Sequence, residues 1–277
     1  MKIRLADETT SPRPIPVQLE RSPYTACPLC GAEERGALPV PGLEPGDEDG
    51  APVWFGCQAC GHVFSEGHLD AATAQQLALR ADLARLPGEG DVCGERRAAS
   101  RVVHRLASLR GAIGGAWLDV GVGDGALLTT AAEYGFDAAG LDPSHAVIER
   151  LLAHGYEAGQ ADVEDLEGED AFDVVSFDGS LQRQPFPETS ISAASRLLRP
   201  GGLLFVSLPN IDSFSWRVLD ERGTNPHWFD PTTFHLFSRE GLYALLRRHG
   251  LEPIDYTVSD RWPAGMEVCA ALREDLS

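Results

Sequence analysis

Two kinds of chemistry are written into the spacing of a few residues. The first is metal ligation. Cys27 and Cys30 stand two residues apart in Cys-Pro-Leu-Cys-Gly, and Cys57 and Cys60 repeat the arrangement in Cys-Gln-Ala-Cys-Gly-His. A tight turn brings the sulfurs of each pair to one side, and the glycine that follows relieves the backbone of the turn. Two such pairs supply four thiolates, enough to close a tetrahedral structural zinc site. The 26 residues between the pairs are rich in Gly, Pro and acids. They read as a solvated loop, whose closure entropy grows only slowly with length. His62, two residues past Cys60, is an alternative ligand, but four thiolates already fill the tetrahedron. Two matched pairs in a chain with no apolar leader at its start favour metal over a disulfide or a redox CxxC. Cys93 and Cys269 lie outside the pairs and are given no role.

The second chemistry is the binding of a nucleotide-like ligand. Leu118-Asp119-Val120-Gly121-Val122-Gly123-Asp124-Gly125 runs an apolar strand into three glycines at alternate positions. Glycine lets the backbone approach a ligand closely and adopt positive φ. A lone turn of this kind is often only a tight strand-to-helix connection. Asp142, about 20 residues on, ends the next strand in Gly140-Leu141-Asp142-Pro143-Ser144, where a carboxylate can accept ribose hydroxyls. Asp162 follows the third strand, beside Val163, where a carboxylate can meet an adenine amino group. One acid at a strand end is often a helix cap; three at consecutive strand ends suit one extended ligand. Candidate proton acceptors are His227 and His235, in the stretch from Asn225 to Ser238, and Asp178, at the end of the fourth strand. The histidines have an ordinary alternative, as hydrogen-bonded pieces of a loop or a cap. Trp216, Trp228, Phe229 and Phe234 can wall a planar substrate or simply fill core.

Those residues need elements to hold them. Apolar strands are predicted at 116–121, 137–142, 156–161, 172–177 and 203–208, with helices at about 125–134, 145–153 and 188–198. Strands apolar throughout and separated by helices imply a parallel sheet covered on both faces. After a helix at about 239–249, two β-like runs, EPIDYTV and MEVCAAL, form an antiparallel hairpin at the sheet edge. The chain divides into a lead-in (1–21), a zinc-ribbon-like module (22–70), a helical linker (71–94, helical over 71–86) and a catalytic domain (95–277) that opens on a helix at about 95–110.

LDVGVGDG, GLDPS, ADVEDL, FDVVSFDGSL and LLRPGGLLFVSLPN together resemble the ordered motifs of class I S-adenosylmethionine-dependent methyltransferases, over roughly residues 95–275. Arg199-Pro200-Gly201-Gly202 before an apolar strand is especially specific. The third glycine of the loop comes one residue earlier than in the GxGxxG of NAD-binding proteins, which favours S-adenosylmethionine over NAD. The expected fold is therefore an α/β, Rossmann-like class I sheet with an antiparallel C-terminal edge hairpin and a small N-terminal zinc-binding module. The resemblance implies that Asp119 lies near the methionine amino group, with Gly121, Gly123 and Gly125 beneath the ligand. It implies ribose contacts from Asp142 in the Asp142-Pro143 step, and adenine contacts from Asp162 and the Val163 amide. Residues 178–181 would border the transfer site. Many relatives continue Leu-Glu-His; here the residues are Leu181-Gln182-Arg183, which removes one possible base.

Composition narrows the partners. A net charge of −19 repels phosphate backbones and acidic membranes. Residues 1–70 alone hold five cations and eleven acids. No apolar run approaches the roughly 20 residues of a membrane span, so a cytoplasmic protein is expected. Methyltransferases with N-terminal zinc modules include a group acting on sugars or natural-product intermediates and a ribosomal-RNA guanine group that opens with a similar CPLC; the acidity favours the first. The expected activity is methyl transfer to an oxygen or carbon of a small, sugar-like or secondary metabolite. A ribosomal-RNA methyltransferase, a non-catalytic cofactor-binding or zinc-mediated interaction protein and, most weakly, an NAD enzyme are the alternatives. The sequence does not fix the oligomeric state.

Overall fold

The computed structural model describes residues 20–42, 52–70, 73, 77, 92–259 and 264–273. The lead-in up to residue 19 and most of the helix predicted over 71–86 lie outside these residues. Five short strands come first: β1 (Arg21–Pro23), β2 (Arg35–Leu38), β3 (Trp54–Cys57), β4 (Val63–Ser65) and β5 (Gly67–Leu69). Helix α1 (Val92–Arg110) begins three residues before the predicted boundary and takes in the end of the predicted linker.

From there strand and helix alternate: β6 (Gly115–Val120), α2 (Ala126–Glu133), β7 (Phe136–Leu141), α3 (His145–Ala153), β8 (Glu157–Gly159), β9 (Phe172–Asp178), α4 (Pro187–Leu197) and β10 (Leu198–Pro209). Next come α5 (Phe214–Glu221), β11 (His235–Leu236), α6 (Arg239–Arg248), β12 (Leu251–Val258) and β13 (Gly265–Leu272). The seven-stranded sheet has the order β12-β13-β10-β9-β6-β7-β8. The five strands from β10 to β8 are parallel, and β13 and β12 add antiparallel pairs. This is the predicted α/β sheet with its edge hairpin.

Successive residues of a strand face opposite sides, and both sides are filled. Trp117, Val174, Leu203 and Phe205 pack with α1, α2 and α3. Leu118, Val175, Phe177, Leu204 and Val206 pack with α4 and α6. Two strands differ from expectation. β8 covers only Glu157–Gly159 of the predicted 156–161, because it is the outermost strand and has a partner on one side only. β10 starts five residues early. Its register against β9 jumps between Leu198 and Leu203, and Gly201 takes a φ of 73° in that bulge. A side chain at Gly202 would meet the Arg199 carbonyl at 2.8 Å.

The first five strands do not stand apart. β11, from the far side of the chain, completes a four-stranded sheet in the order β11-β4-β3-β2, with His235 opposite Phe64 and Leu236 opposite Val63. Tyr24, Cys27, Leu29, Cys57 and Phe64 belong to the same core cluster as the α4/α6 side of the large sheet. Trp54 and Val63 pack with Trp216, Trp228 and Leu236. A chain starting at Val92 would uncover those tryptophans and leave β11 unpaired. Such a truncation is expected to bind a hydrophobic dye and melt well below the full chain; a monomeric truncation with the full chain's melting temperature would contradict this shared core.

Candidate functional site

The carboxyl ends of four neighbouring strands each deliver an acid, and sheet order fixes their sequence in space: Asp178 (β9), Asp119 (β6), Asp142 (after β7) and Asp162 (after β8). The glycine loop turns over this edge. Gly121, Gly123 and Gly125 all have left-handed backbone, with φ of 77°, 58° and 86°. At Gly121 the demand is also steric, since a β-carbon there would fall on the Ser180 side chain. Asp142, buried, accepts from the Gly123 amide through Oδ2 at 2.9 Å and from the Ser144 amide through Oδ1 at 2.8 Å. It therefore shapes the loop from below. Ser144 caps α3, and Arg150 reaches back from that helix to the Gly123 carbonyl at 3.0 Å. Pro143 lies between Asp142 and the cap. Val163 is fully buried while Asp162 stays exposed beside it.

Asp119 is 1% exposed, and Ser176 donates to its Oδ1 at 2.6 Å. Ser176 in turn accepts from the Trp117 indole at 2.9 Å. Burial pushes the Asp119 carboxyl up to about 7; the Ser176 hydrogen bond works against this, and Asp178, Asp124 and Asp142 add to it. A buried acid poised between charge states favours a cationic neighbour.

The four paired cysteines converge. Their sulfurs all lie within 4.8 Å of one another. Cys27 and Cys60 Sγ are 3.7 Å apart, Cys30 and Cys57 Sγ 3.6 Å, and none is in a disulfide. Zinc–sulfur bonds of about 2.3 Å in a tetrahedron require sulfur–sulfur edges of roughly 3.8 Å. The donor set fits zinc in both chemistry and size. Left-handed Gly31 and Gly61 (both φ 71°) close the two turns, where the amides of Gly31 and Gly61 donate to the carbonyls of Cys27 and Cys57. His62 is not among the converging ligands.

His62 instead faces His235. Tyr24 donates to the Pro185 carbonyl at 2.6 Å, so its oxygen and that carbonyl are both acceptors toward His235 Nε2, 3.3 Å from each. Nε2 is therefore the protonated nitrogen of His235, and Nδ1 accepts from His62 Nε2 at 3.1 Å. Burial drives the His235 pKa down to about 3, and the His62 pKa well below its usual value. Both rings are neutral and His235 has no lone pair left for a substrate proton. His235, expected as a candidate base, sits in the seam between module and sheet with both ring nitrogens engaged. His227 remains half-buried, stacked on Trp216 at 5.3 Å and 7°. The stretch from 225 to 238 is held by the module at several points. Arg21 donates to the Pro231 carbonyl at 2.9 Å, Trp54 to the Trp228 carbonyl at 3.0 Å, and the Ser65 amide to the Phe234 carbonyl at 2.9 Å.

A separate cleft of about 580 Å³ lies between the first cysteine turn and the start of α4, walled by Tyr24, Leu29, Phe186, Thr189 and Arg248. No residue of the acidic edge or the glycine loop lines it.

A family model described as a methyltransferase domain matches residues 94–256, more than half of the chain. The chain belongs to that methyltransferase family. The methyltransferase is 31% identical over 154 residues to a protein named ubiquinone biosynthesis O-methyltransferase from Bordetella avium, across 49% of this chain and 61% of that one. It is 35% identical over 107 residues to a protein of the same name from Thiobacillus denitrificans, across 36% of this chain and 46% of that one. The chain thus spans only about half to three-fifths of these curated relatives. Among solved structures it is similar to magnesium protoporphyrin IX methyltransferase from Synechocystis with bound S-adenosylhomocysteine (TM-score 0.57, 20% identity, 74% of this chain, 100% of that one). It is likewise similar to 1,6-didemethyltoxoflavin-N1-methyltransferase from Burkholderia thailandensis (TM-score 0.54, 20% identity, 81% and 100%). At that identity the likeness is one of fold.

Sequence reasoning missed Ser176, Ser180 and the partnership of His62 with His235. Small hydroxyls inside a buried strand or in the turn after it carry no pattern, and the histidines are separated by 173 positions. Changing Cys27 or Cys57 to Ser is expected to release the metal, measured by elemental analysis, and to speed amide hydrogen exchange at 234–237. Retained stoichiometric zinc, or unchanged exchange there, would contradict the four-thiolate anchor.

Proposed function

We propose that this protein is an S-adenosylmethionine-dependent methyltransferase acting on an oxygen of a small hydroxylated molecule, a sugar-like or secondary metabolite. Three left-handed glycines beneath four acids from adjacent strands carry the reading. The O-methyltransferase names of the curated relatives favour oxygen over carbon. When bound, S-adenosylmethionine supplies a methyl group on a sulfonium, open to in-line displacement by a nucleophile. This chain's own part is mostly positioning. In this reading Asp119 faces the cofactor amino group, Asp142 and the Asp142-Pro143 step the ribose, and Asp162 with the Val163 amide the adenine. Asp178 and His227 are the groups left to accept a proton from the nucleophile, should it need to lose one. Zinc, held by Cys27, Cys30, Cys57 and Cys60, would be structural, because four thiolates leave it no open position. A net charge of −19 supports a small acceptor over RNA.

Calorimetric titration with S-adenosylhomocysteine, with NAD⁺ as control, tests the cofactor. Micromolar binding of the first alone is expected; no binding by a folded, zinc-loaded protein would refute the reading. Asp142→Ala should weaken that binding by roughly 1–3 kcal/mol, since it strips partners from the ligand and from the Gly123 amide. An unchanged affinity would remove Asp142 from the site.

The Asp119 carboxyl gives a pH test. Its folded-state pKa of about 7 lies above the usual carboxylate value, so the free protein holds a proton there below neutrality. A cationic amino group favours the ionised form, so binding displaces that proton. Affinity for S-adenosylhomocysteine is expected to rise between pH 6 and pH 7.5, with proton release seen in buffers of different ionisation enthalpy. Asp119→Asn should flatten the profile; a profile equally steep in that variant would assign the titration elsewhere.

A further inference from the structure

The turn that follows β9 contains a buried group that no described residue satisfies. Gln182 is 5% exposed. Its Nε2 donates to the Gly179 carbonyl at 2.9 Å, which fixes which end of the carboxamide is nitrogen, because the flipped amide would set two carbonyl oxygens against each other. Its Oε1 is then buried and accepts no hydrogen bond from the described residues. Buried acceptors are nearly always paired, and an orphan costs free energy that apolar packing does not return. Of the buried unpaired polar atoms among the described residues, Gln182 Oε1 is the one next to the acidic edge, where a donor from outside the chain would relieve that cost.

The location says which outside partner would matter. The turn runs directly on from Asp178 at the acidic edge. Ser180 donates to the Val120 carbonyl and presses against Gly121, the first glycine of the loop. On the other side, the Gln182 backbone carbonyl accepts from the Phe234 amide at 2.9 Å, and Arg183 pairs with Asp230 at 3.3 Å. Gln182 therefore occupies the strip of wall between the cofactor loop and the 225–238 stretch.

We propose that Gln182 Oε1 is the hydrogen-bond acceptor for a hydroxyl of the methyl acceptor, a specificity-determining contact that rests on the methyltransferase reading above. A carboxamide oxygen can orient an O–H without removing its proton. The contact thus selects acceptors by their donor and aligns an oxygen, and it leaves deprotonation to another group. An acceptor whose hydroxyl is already methylated would leave Oε1 orphaned again, so the contact also discriminates substrate from product.

The test uses the full-length, zinc-loaded protein saturated with S-adenosylhomocysteine, titrated with catechol as the hydroxylated probe and with its dimethyl ether as the matched probe without donors. The wild type is expected to bind catechol at least tenfold more tightly than the ether. Gln182→Met, which keeps the shape and removes the acceptor, should abolish that preference. Its affinity for S-adenosylhomocysteine should stay within twofold, and its melting temperature should hold or rise. Gln182→Asn, which withdraws the oxygen by one methylene, should lose most of the preference too, and it serves if the methionine variant does not fold. A catechol preference that survives in the folded variants, or a wild type that binds cofactor product but shows no preference, overturns the proposal, leaving the orphan to a bound water. Failure to bind S-adenosylhomocysteine at all would instead bring down the underlying reading.

Discussion

Adjacent strands of a sheet lie about 4.8 Å apart, and that spacing brings Asp178 and Asp142 into the field of Asp119, while Asp162, past the end of β8, feels Glu164 and Asp165. The rest of the site answers this crowding. Asp142 is neutralised in part by two backbone amides, one of which belongs to the glycine loop. Asp119, on β6 between β9 and β7, has only a serine hydroxyl among the described residues, and burial holds its proton up to neutral pH. Asp162 is the most exposed of the four, although partial burial and the neighbouring Glu164 and Asp165 still push its carboxyl above the usual value. From β6 to β8 exposure rises along the edge, while Asp178 on β9 is half-buried. That rise gives a long ligand a cation-seeking end near β6 and a polar, water-accessible end near β8.

A second constraint runs at right angles to the first. The four-thiolate cluster is small, but the strands it anchors reach across to β11 and share a core with α4 and α6. Cys60 and His62 are separated by one glycine, so the residue that joins the cysteine cluster and the residue that faces His235 sit on one short turn. The neutral His62–His235–Tyr24 chain ends on the Pro185 carbonyl, just before α4. The module is thus a strut of the catalytic sheet, connected by directional bonds as well as by apolar contact.

Much of this was legible in the sequence because it is local. Alternating glycines, strand-end acids and paired cysteines declare themselves within ten residues, and the parallel sheet follows from apolar runs separated by helices. What was not legible is long-range. Nothing near His235 announces that Val63 and Phe64 will pair with its strand, so a histidine among aromatics read as a possible base. The early start of β10 depends on a bulge at Gly201, a residue that reads equally well as a turn. Gln182 was visible only as a departure from a family pattern; its unpaired oxygen appears only once Gly179 and Phe234 are in place.

The pinning of β11 also bears on how such a protein can diversify. Between Pro209, at the end of β10, and His235 the chain leaves the large sheet and must return to a fixed address beside β4. With both ends clamped and Trp216 and Trp228 packed in the core between them, only length changes confined to the exposed run 221–224 alter a surface turn alone, and closure entropy penalises those weakly. That turn can be remodelled while the acidic edge and the cysteine cluster keep their geometry. A module that looks like baggage on a catalytic domain is, in this light, what frees the neighbouring stretch to vary.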